Sequence, residues 1–169
     1  MGVSKVRDLT LSAVSAALGV VILYIASFLP TLRLALLCVA SLSVVVVYIR
    51  SGRAWALGTY AVVSALGLIL SPDKSESLVF TLFLGYYPIL LFPFERIAKR
   101  ALRLLAKLAV FNLAFTVLFG FMKVLLRGSP DGRVLFVLYV LANLAFLVYD
   151  FALRKLILFY MRKIDGRVK

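Results

Sequence analysis

The chain has 169 residues, of which 64% are hydrophobic and 16% charged, and its formal net charge is +13. A soluble domain is roughly half apolar, with about a quarter of its residues charged. This chain therefore has more apolar surface than its own core can bury, and lipid must cover the excess. Because the Lys and Arg residues lie in short segments between apolar runs, we expect them to contact anionic headgroups of the lipid bilayer, and no nucleic-acid partner is predicted.

Six apolar runs have the length of about 17–25 residues that a transmembrane helix needs. The first run exceeds the roughly 7–15 apolar residues of a signal peptide, so we expect it to remain in the protein as a helix. The clearest loop is residues 71–77, which combine a proline with small polar residues. The sequence thus predicts an all-α integral membrane bundle of six transmembrane helices with short amphipathic interfacial segments, in one domain, residues 1–169, with spans at 9–29, 31–49, 54–70, 78–94, 108–126 and 134–153.

The positions of the basic residues predict the orientation of the spans. With the N-terminus inside, 15 of the 20 Lys and Arg residues fall in cytoplasmic segments and five fall in the outer loops. Cytoplasmic loops of membrane proteins carry such an excess of Lys and Arg. We therefore expect a multi-pass protein of the cell membrane with both termini in the cytoplasm.

A cationic stripe precedes the fifth span. Its members, Arg96, Arg100, Arg103 and Lys107, recur at steps of three or four residues, which places them on one face of a helix. We expect this segment to lie along the headgroups or to lead into the fifth span, with its cations bound to anionic lipid. Docking of an acidic protein partner is the alternative.

The fourth span contains Gly85-Tyr86-Tyr87-Pro88 near the middle of the membrane. Pro88 cannot donate a hydrogen bond to the carbonyl of Leu84, so the helix is predicted to kink and to expose a backbone acceptor. Interrupted helices at this depth often line binding sites. The two tyrosines are therefore candidates for binding a ligand. The alternative is a kink needed only for packing, with both hydroxyl groups bonded internally.

Three further polar residues lie inside apolar runs. Asn112 and Asn143 fall near the bilayer centre, where a carboxamide needs a partner on a neighbouring helix or on a ligand. Asp150 precedes Arg154 by four residues, a spacing that favours an ion pair within one helix; a proton relay is the alternative. The chain has no histidine and no HExxH, CxxC, GxSxG or Walker A pattern, so no enzyme activity, cofactor or metal site is predicted.

Ala13 and Ala17 form a small-xxx-small pair in the first span. Small residues four positions apart leave a flat strip on which another helix can approach closely. Two interpretations follow. The strip packs inside the six-helix bundle, or it docks against a partner protein in the membrane.

The chain resembles the substrate-binding S component of energy-coupling-factor (ECF) vitamin transporters. The resemblance rests on the short length, the six spans, the cytoplasmic termini and a first helix that opens Leu9-Thr10-Leu11-Ser12-Ala13-Val14-Ser15-Ala16-Ala17. In that family an alanine-xxx-alanine motif at this place docks against the transmembrane coupling subunit, and Ala13 and Ala17 match it. The resemblance implies tight binding of a vitamin-like molecule in an outward-facing cavity near the loops after the first, third and fifth spans. It also implies delivery of the ligand by toppling within the membrane, driven by the coupling subunit and two ATPases.

The predicted topology also suggests where a ligand would bind. The second, fourth and sixth spans enter from outside, and the third and fifth spans end there. A small-molecule ligand that is partly aromatic and neutral or anionic is predicted to bind among polar and aromatic residues in the outer half or near the middle of the membrane, namely Arg33, Tyr86, Tyr87, Thr116, Tyr139 and Asn143. The alternative function is a non-transporting scaffold or assembly subunit, which uses the same topology and needs no cavity.

Cysteine labelling tests the predicted orientation. In a Cys38→Ala background, Ser75→Cys is expected to react with an impermeant maleimide in intact cells, because the distribution of basic residues places that loop outside. Ser51→Cys is expected to react only after the membrane has been permeabilised. Labelling of Ser51→Cys but not of Ser75→Cys in intact cells would reverse the orientation.

Overall fold

The computed structural model describes residues 3–126 and 132–163, with side chains over residues 5–120 and 132–162. These residues form helices and turns, and no strand occurs among them. A 3₁₀ turn, Pro30–Leu32, precedes α2, and a π-helical turn, Phe80–Leu84, separates α4 from α5. The α-helices are α1 Val3–Ala26, α2 Arg33–Ser51, α3 Arg53–Leu70, α4 Lys74–Val79, α5 Tyr87–Glu95, α6 Arg100–Leu126 and α7 Gly132–Lys163.

Six helical segments are long and apolar enough to cross a membrane, which confirms the predicted all-α fold and agrees with a multi-pass membrane protein. The amphipathic segment leads into the fifth span, because α6 begins at Arg100 and runs on without a break. Residues 127–131, between the predicted fifth and sixth spans, lie outside the described residues, as do residues 164–169. The six segments are Lys5–Ala26, Pro30–Ser51, Arg53–Leu70, Lys74–Glu95, Arg100–Gly120 and Gly132–Arg162.

The chain divides into two compact units, Met1–Lys107 and Leu108–Lys169. In the first unit, α1, α2 and α3 pack against one another, and α2 and α3 also contact both halves of the fourth span. All four spans contribute side chains that are almost completely buried, among them Leu23, Val44, Val63 and Phe80. The core of this unit therefore lies along the line where the four spans meet.

The two ends of the first unit differ in how the chain turns. At one end, which we call the Pro30 end, α1 finishes and the 3₁₀ turn begins. Here the hydroxyl groups of Ser27 and Ser71 lie 2.7 Å apart and join the end of α1 to the end of α3. At the other end, a single residue, Gly52, separates α2 from α3 with φ of 89°, in the left-handed region that favours glycine.

The fourth span is interrupted, as the sequence predicts, but the interruption comes before Pro88. The N–H of Gly85 donates to the carbonyl of Phe80 at 2.7 Å, which is the longer-range bond of a π-helical turn. Pro88 is then in the first turn of α5, where a residue without an N–H interrupts no helical hydrogen bond. The proline therefore begins a helix and does not bend one.

Tyr60 of α3 supports the π-helical turn. Its hydroxyl donates to the carbonyl of Thr81 at 2.8 Å, and its ring lies edge-on to that of Tyr86 with the centroids 6.3 Å apart. A Cβ at Gly85 would lie 2.7 Å from Cε1 of Phe80 and 2.8 Å from Cδ2 of Tyr60. The turn thus needs a glycine where the tyrosine ring approaches the backbone.

Two glycine substitutions test this close contact. Gly85→Ala is expected to lower the free energy of unfolding by about 1–3 kcal/mol, because the added methyl group overpacks a filled site. Gly58→Ala is the matched control, since a Cβ at Gly58 meets nothing within 4 Å, and it should leave stability unchanged or slightly raised. Thermal unfolding of both variants in detergent measures the difference. Equal stability of the two would show that Gly85 has room for a side chain.

Glu95, the last residue of α5, forms ion pairs with two cations of the predicted stripe. It accepts hydrogen bonds from Nη1 of Arg103 and Nζ of Lys107, each at 2.7 Å. Lys107 is only 2% exposed. The prediction that the cations of the stripe bind anionic lipid is therefore wrong for Lys107, whose buried ammonium group pairs with Glu95. Arg96 and Arg100 are exposed.

Candidate functional site

The six predicted ligand-binding residues are divided between the two units. Three of these residues make their contacts inside the first unit, and the other three make theirs inside the second unit. Of the six residues, Arg33 lines a cavity that lies at the Pro30 end of the first unit. The first unit contains Arg33, Tyr86 and Tyr87, and the second contains Thr116, Tyr139 and Asn143.

The cavity at the Pro30 end has a volume of about 310 Å³. Its wall is formed by the 3₁₀ turn, the beginning of α2 and the short helix α4, so it lies beside the loops that follow the first and third spans. Apolar side chains make up one part of this wall, and hydroxyl and charged groups make up the other. The lining residues are Pro30, Thr31, Arg33, Leu34, Leu37, Ser75, Glu76 and Val79.

Arg33 is the first residue of α2, and it makes two ion contacts. Its Nη1 lies 3.2 Å from Oδ2 of Asp73, and its Nε lies 2.8 Å from Oε1 of Glu76. The side chain of Asp73 is about one-third exposed, whereas that of Glu76 is 4% exposed. The cation predicted beside a ligand site is therefore present, but two carboxylates already offset its charge. An anionic ligand group would have to compete with both.

Asp73 fixes the start of α4. Its Oδ1 accepts hydrogen bonds from the hydroxyl group of Ser75 at 2.6 Å and from the Ser75 N–H at 3.0 Å. These two bonds, helped by the charge of Arg33, lower the pKa of Asp73 against the opposing effect of burial. The cap therefore stabilises the fold at neutral pH, and this contribution is lost as the pH falls through the lowered pKa.

Lys74 supplies hydrogen bonds to the backbone carbonyls at the end of α3. Its ammonium group donates to the carbonyls of Leu68, Ile69 and Ser71 at 2.7, 3.0 and 2.9 Å. The last carbonyls of a helix have no partner within the helix, and a lysine ammonium has three hydrogens to donate. All three donors of Lys74 are thus used on the backbone.

Glu76, like Asp73, is a charged residue of this site that the predicted ligand site does not include. The composition of residues 71–77 predicts a loop, because Pro72 and its small polar neighbours are typical of turns. In the structure α4 begins at Lys74, and Glu76 is buried within it. An available signal was the spacing of Asp73 and Glu76, since an N-cap residue followed three positions later by Glu is typical of a helix start.

Tyr86 and Tyr87 pack inside the first unit. Tyr87 is 1% exposed, and its ring stacks on that of Phe83 with the centroids 6.3 Å apart. Tyr86 lies against Tyr60 and is partly buried. Neither tyrosine lines the cavity at the Pro30 end. In this structure both rings support the interrupted helix, and a role in ligand binding stays a prediction.

In the second unit, α6 and α7 are joined by a ladder of polar side chains. The carboxamides of Asn112 and Asn143 donate to each other, with N···O distances of 3.0 and 3.1 Å. One turn away, the hydroxyl groups of Thr116 and Tyr139 lie 2.8 Å apart. The interpretation of Asn112 and Asn143 as interhelical partners is therefore confirmed. The three predicted ligand residues of this unit all have hydrogen-bond partners on α6 or α7.

Asp150 and Arg154 form the predicted ion pair on α7. Nη2 of Arg154 lies 2.9 Å from Oδ2 of Asp150, and the aspartate side chain is 3% exposed. The i,i+4 spacing places the cation one turn toward the end of the helix, which is the favourable order. Among the described residues, no group of three or more Cys, Asp and Glu side chains could hold a metal ion.

Ala13 and Ala17 lie on the exposed face of α1. The small residues of this helix that are buried in the first unit belong to the opposite face, so that face makes the internal contacts. Internal packing is thus provided by other members of the same small-residue cluster, namely Ser12, Ser15, Ala16 and Gly19.

Comparison of the chain with protein-family models, with curated proteins and with solved structures gives no match. The geometry of its own residues is therefore the evidence that bears on its function. Two features stand out: the cavity at the Pro30 end with its ion cluster, and the exposed small-residue strip on α1.

Removal of one carboxamide tests the ladder in the second unit. Asn143→Leu is expected to lower the free energy of unfolding by about 0.6–2 kcal/mol, because Asn112 loses its partner on the other helix. The double variant Asn112→Leu/Asn143→Leu leaves no unpaired carboxamide and should recover part of this loss. Thermal unfolding of the three proteins in the same detergent measures both effects. A single variant as stable as the wild type would contradict a stabilising role.

Proposed function

We propose that this chain is the membrane-embedded substrate-binding subunit of an uptake transporter for a small, vitamin-like molecule. In this proposal the Pro30 end faces outward, both termini lie in the cytoplasm, and the ligand passes to a transmembrane coupling subunit with its ATPases. The observation that carries the proposal is the cavity of about 310 Å³ at the Pro30 end. It borders the loops after the first and third spans, and the resemblance to ECF S components implies a ligand cavity in that region.

The composition of the cavity wall supports this proposal. Small-molecule sites are mostly apolar clefts of about 300–1,000 Å³ with a few polar groups that orient the ligand. Here Leu37 and Val79 provide apolar surface, and Arg33 and Glu76 provide charge. A scaffold subunit needs neither a cavity nor a charged wall within it. The cavity therefore favours the transporter over the scaffold.

The exposed strip of α1 supports the proposed partner. Ala13 and Ala17 point away from the core of the first unit, so a helix of another protein can approach them without disturbing the packing of that unit. Small residues permit the close helix contacts on which association within membranes depends. The chain itself has no nucleotide-binding motif, and in this proposal the ATPases are separate subunits.

The proposal is tested by whether the purified protein retains a small molecule in the cavity. Native mass spectrometry of the wild type, released gently from detergent, is expected to detect a bound small molecule. Val79→Phe should retain little or none, because the larger ring occupies the cavity. Ile69→Phe is the matched control, since Ile69 is 71% exposed and does not line the cavity, and it should retain as much as the wild type.

Two outcomes would count against the transporter. The first is a wild-type protein that retains no small molecule. The second is a Val79→Phe variant that is folded and retains as much as Ile69→Phe. In either case the scaffold interpretation becomes the better account of the chain.

A further inference from the structure

Charge is distributed unevenly between the two ends of the first unit. The Pro30 end has as many cations as carboxylates, so its net charge is zero; the four residues are Arg33, Lys74, Asp73 and Glu76. The opposite end holds the other nine Lys and Arg residues of this unit and two carboxylates, those of Asp8 and Glu95. With every charge counted, that end has an excess of seven positive charges.

Contacts between helices bring these cations to one surface. Asp8 of α1 accepts a hydrogen bond from the hydroxyl group of Ser51, beside the Gly52 turn, at 2.9 Å. The ring of Phe92 on α5 stacks on that of Tyr48 on α2, with the centroids 4.0 Å apart. The start of α1, the Gly52 turn and the end of α5 are therefore neighbours. Their exposed cations, together with those that lead into α6, form what we call the basic surface: Lys5, Arg7, Arg50, Arg53, Arg96, Lys99 and Arg100.

The carboxylates of this end leave the turn between α5 and α6 strongly cationic. Glu95 pairs with Nη1 of Arg103 and Nζ of Lys107, each at 2.7 Å, and neither of these cations belongs to the basic surface. Among the described residues, Arg96, Lys99 and Arg100 form no ion pair. Cations clustered without counter-charges attract anions to the surface that carries them.

The position of the basic surface along the helices selects the kind of anion. Segments that are long and apolar enough to cross a membrane begin at Lys5, Arg53 and Arg100, so these cations lie where hydrocarbon gives way to headgroups. Exposed leucines follow them along the same helices, namely Leu9, Leu57, Leu102 and Leu105. A molecule that fits both features has an anionic group joined to a long apolar body. Phospholipids have this structure, whereas free phosphate and nucleic acid lack the apolar body.

We infer that the basic surface binds anionic phospholipids of the leaflet it faces, with phosphate groups against Arg96, Lys99 and Arg100 and acyl chains along the exposed leucines of α6. The sequence predicts a stripe on one helix for such contacts. The structure removes Lys107 from that set and adds cations from α1 and the Gly52 turn. The Pro30 end, where the charges balance, has no such attraction. The inference is independent of the proposed function, because a scaffold subunit would present the same surface.

The single tryptophan of the chain can report on lipid at this surface. Trp55 follows Arg53 by two residues and packs against the cluster that contains Ile89 of α5. In phosphatidylcholine vesicles, brominated phosphatidylglycerol is expected to quench its fluorescence in preference to brominated phosphatidylcholine. The preference should be at least about fivefold, the effect of one cation near an anionic membrane surface. Sodium chloride at about 1 M should remove most of it by screening, and sodium phosphate at equal ionic strength should do no more than the chloride.

Two triple variants at the same positions separate charge from shape. Arg96→Gln/Lys99→Gln/Arg100→Gln should lower the preference for phosphatidylglycerol by about fivefold or more. Arg96→Lys/Lys99→Arg/Arg100→Lys keeps all three charges and should keep the preference of the wild type. If the neutral triple variant does not fold, Arg100→Gln alone removes one exposed cation and should lower the preference in the same direction.

The inference is overturned if the two brominated lipids quench Trp55 of the wild type equally, or if salt leaves a preference unchanged. It is also overturned if phosphate displaces the lipid beyond the effect of chloride, which would indicate a site for free anions. A folded neutral variant with the wild-type preference, or a charge-conserving variant without it, would reject the role of these three cations. Equal quenching by both lipids would make an acidic protein partner the better account of the basic surface.

Discussion

A peptide group inside lipid has no water to bond, so every backbone N–H and C=O of a membrane span needs a partner within the protein. Regular helices meet this requirement by themselves, but the fourth span changes from an α-helix to a π-helical turn and back. There Tyr60 donates to the carbonyl of Thr81, and Lys74 serves the last carbonyls of α3. Side chains thus provide hydrogen bonds that the backbone does not make at both places.

The ion cluster at the Pro30 end joins two spans that are distant in the sequence. Arg33 begins α2, and its two carboxylate partners lie at the beginning of the fourth span. Because Asp73 is also the N-cap of α4, one residue both starts the helix and ties it to its neighbour. The apolar part of the cavity then lies between α2 and α4, beside this cluster.

The six spans could be predicted because lipid imposes a length and a composition on each of them. The Asn112–Asn143 and Asp150–Arg154 contacts could also be anticipated, the first from its depth in the membrane and the second from its spacing. Most of the candidate functional site could not be predicted from the sequence. The burial of Glu76 depends on Arg33, and the π-helical turn depends on a tyrosine of another helix. Contacts of this kind between spans leave no periodic signal in the sequence.

The two asparagines of α6 and α7 each donate to and accept from the other, which makes a closed pair. Sliding one helix by a single residue moves a side chain by about 1.5 Å and turns it by about 100°, so both bonds open in the same step. The hydroxyl pair of Thr116 and Tyr139 is separated by that movement as well. Two leucine-rich surfaces would pack almost equally well at several registers, and these few polar atoms select one of them.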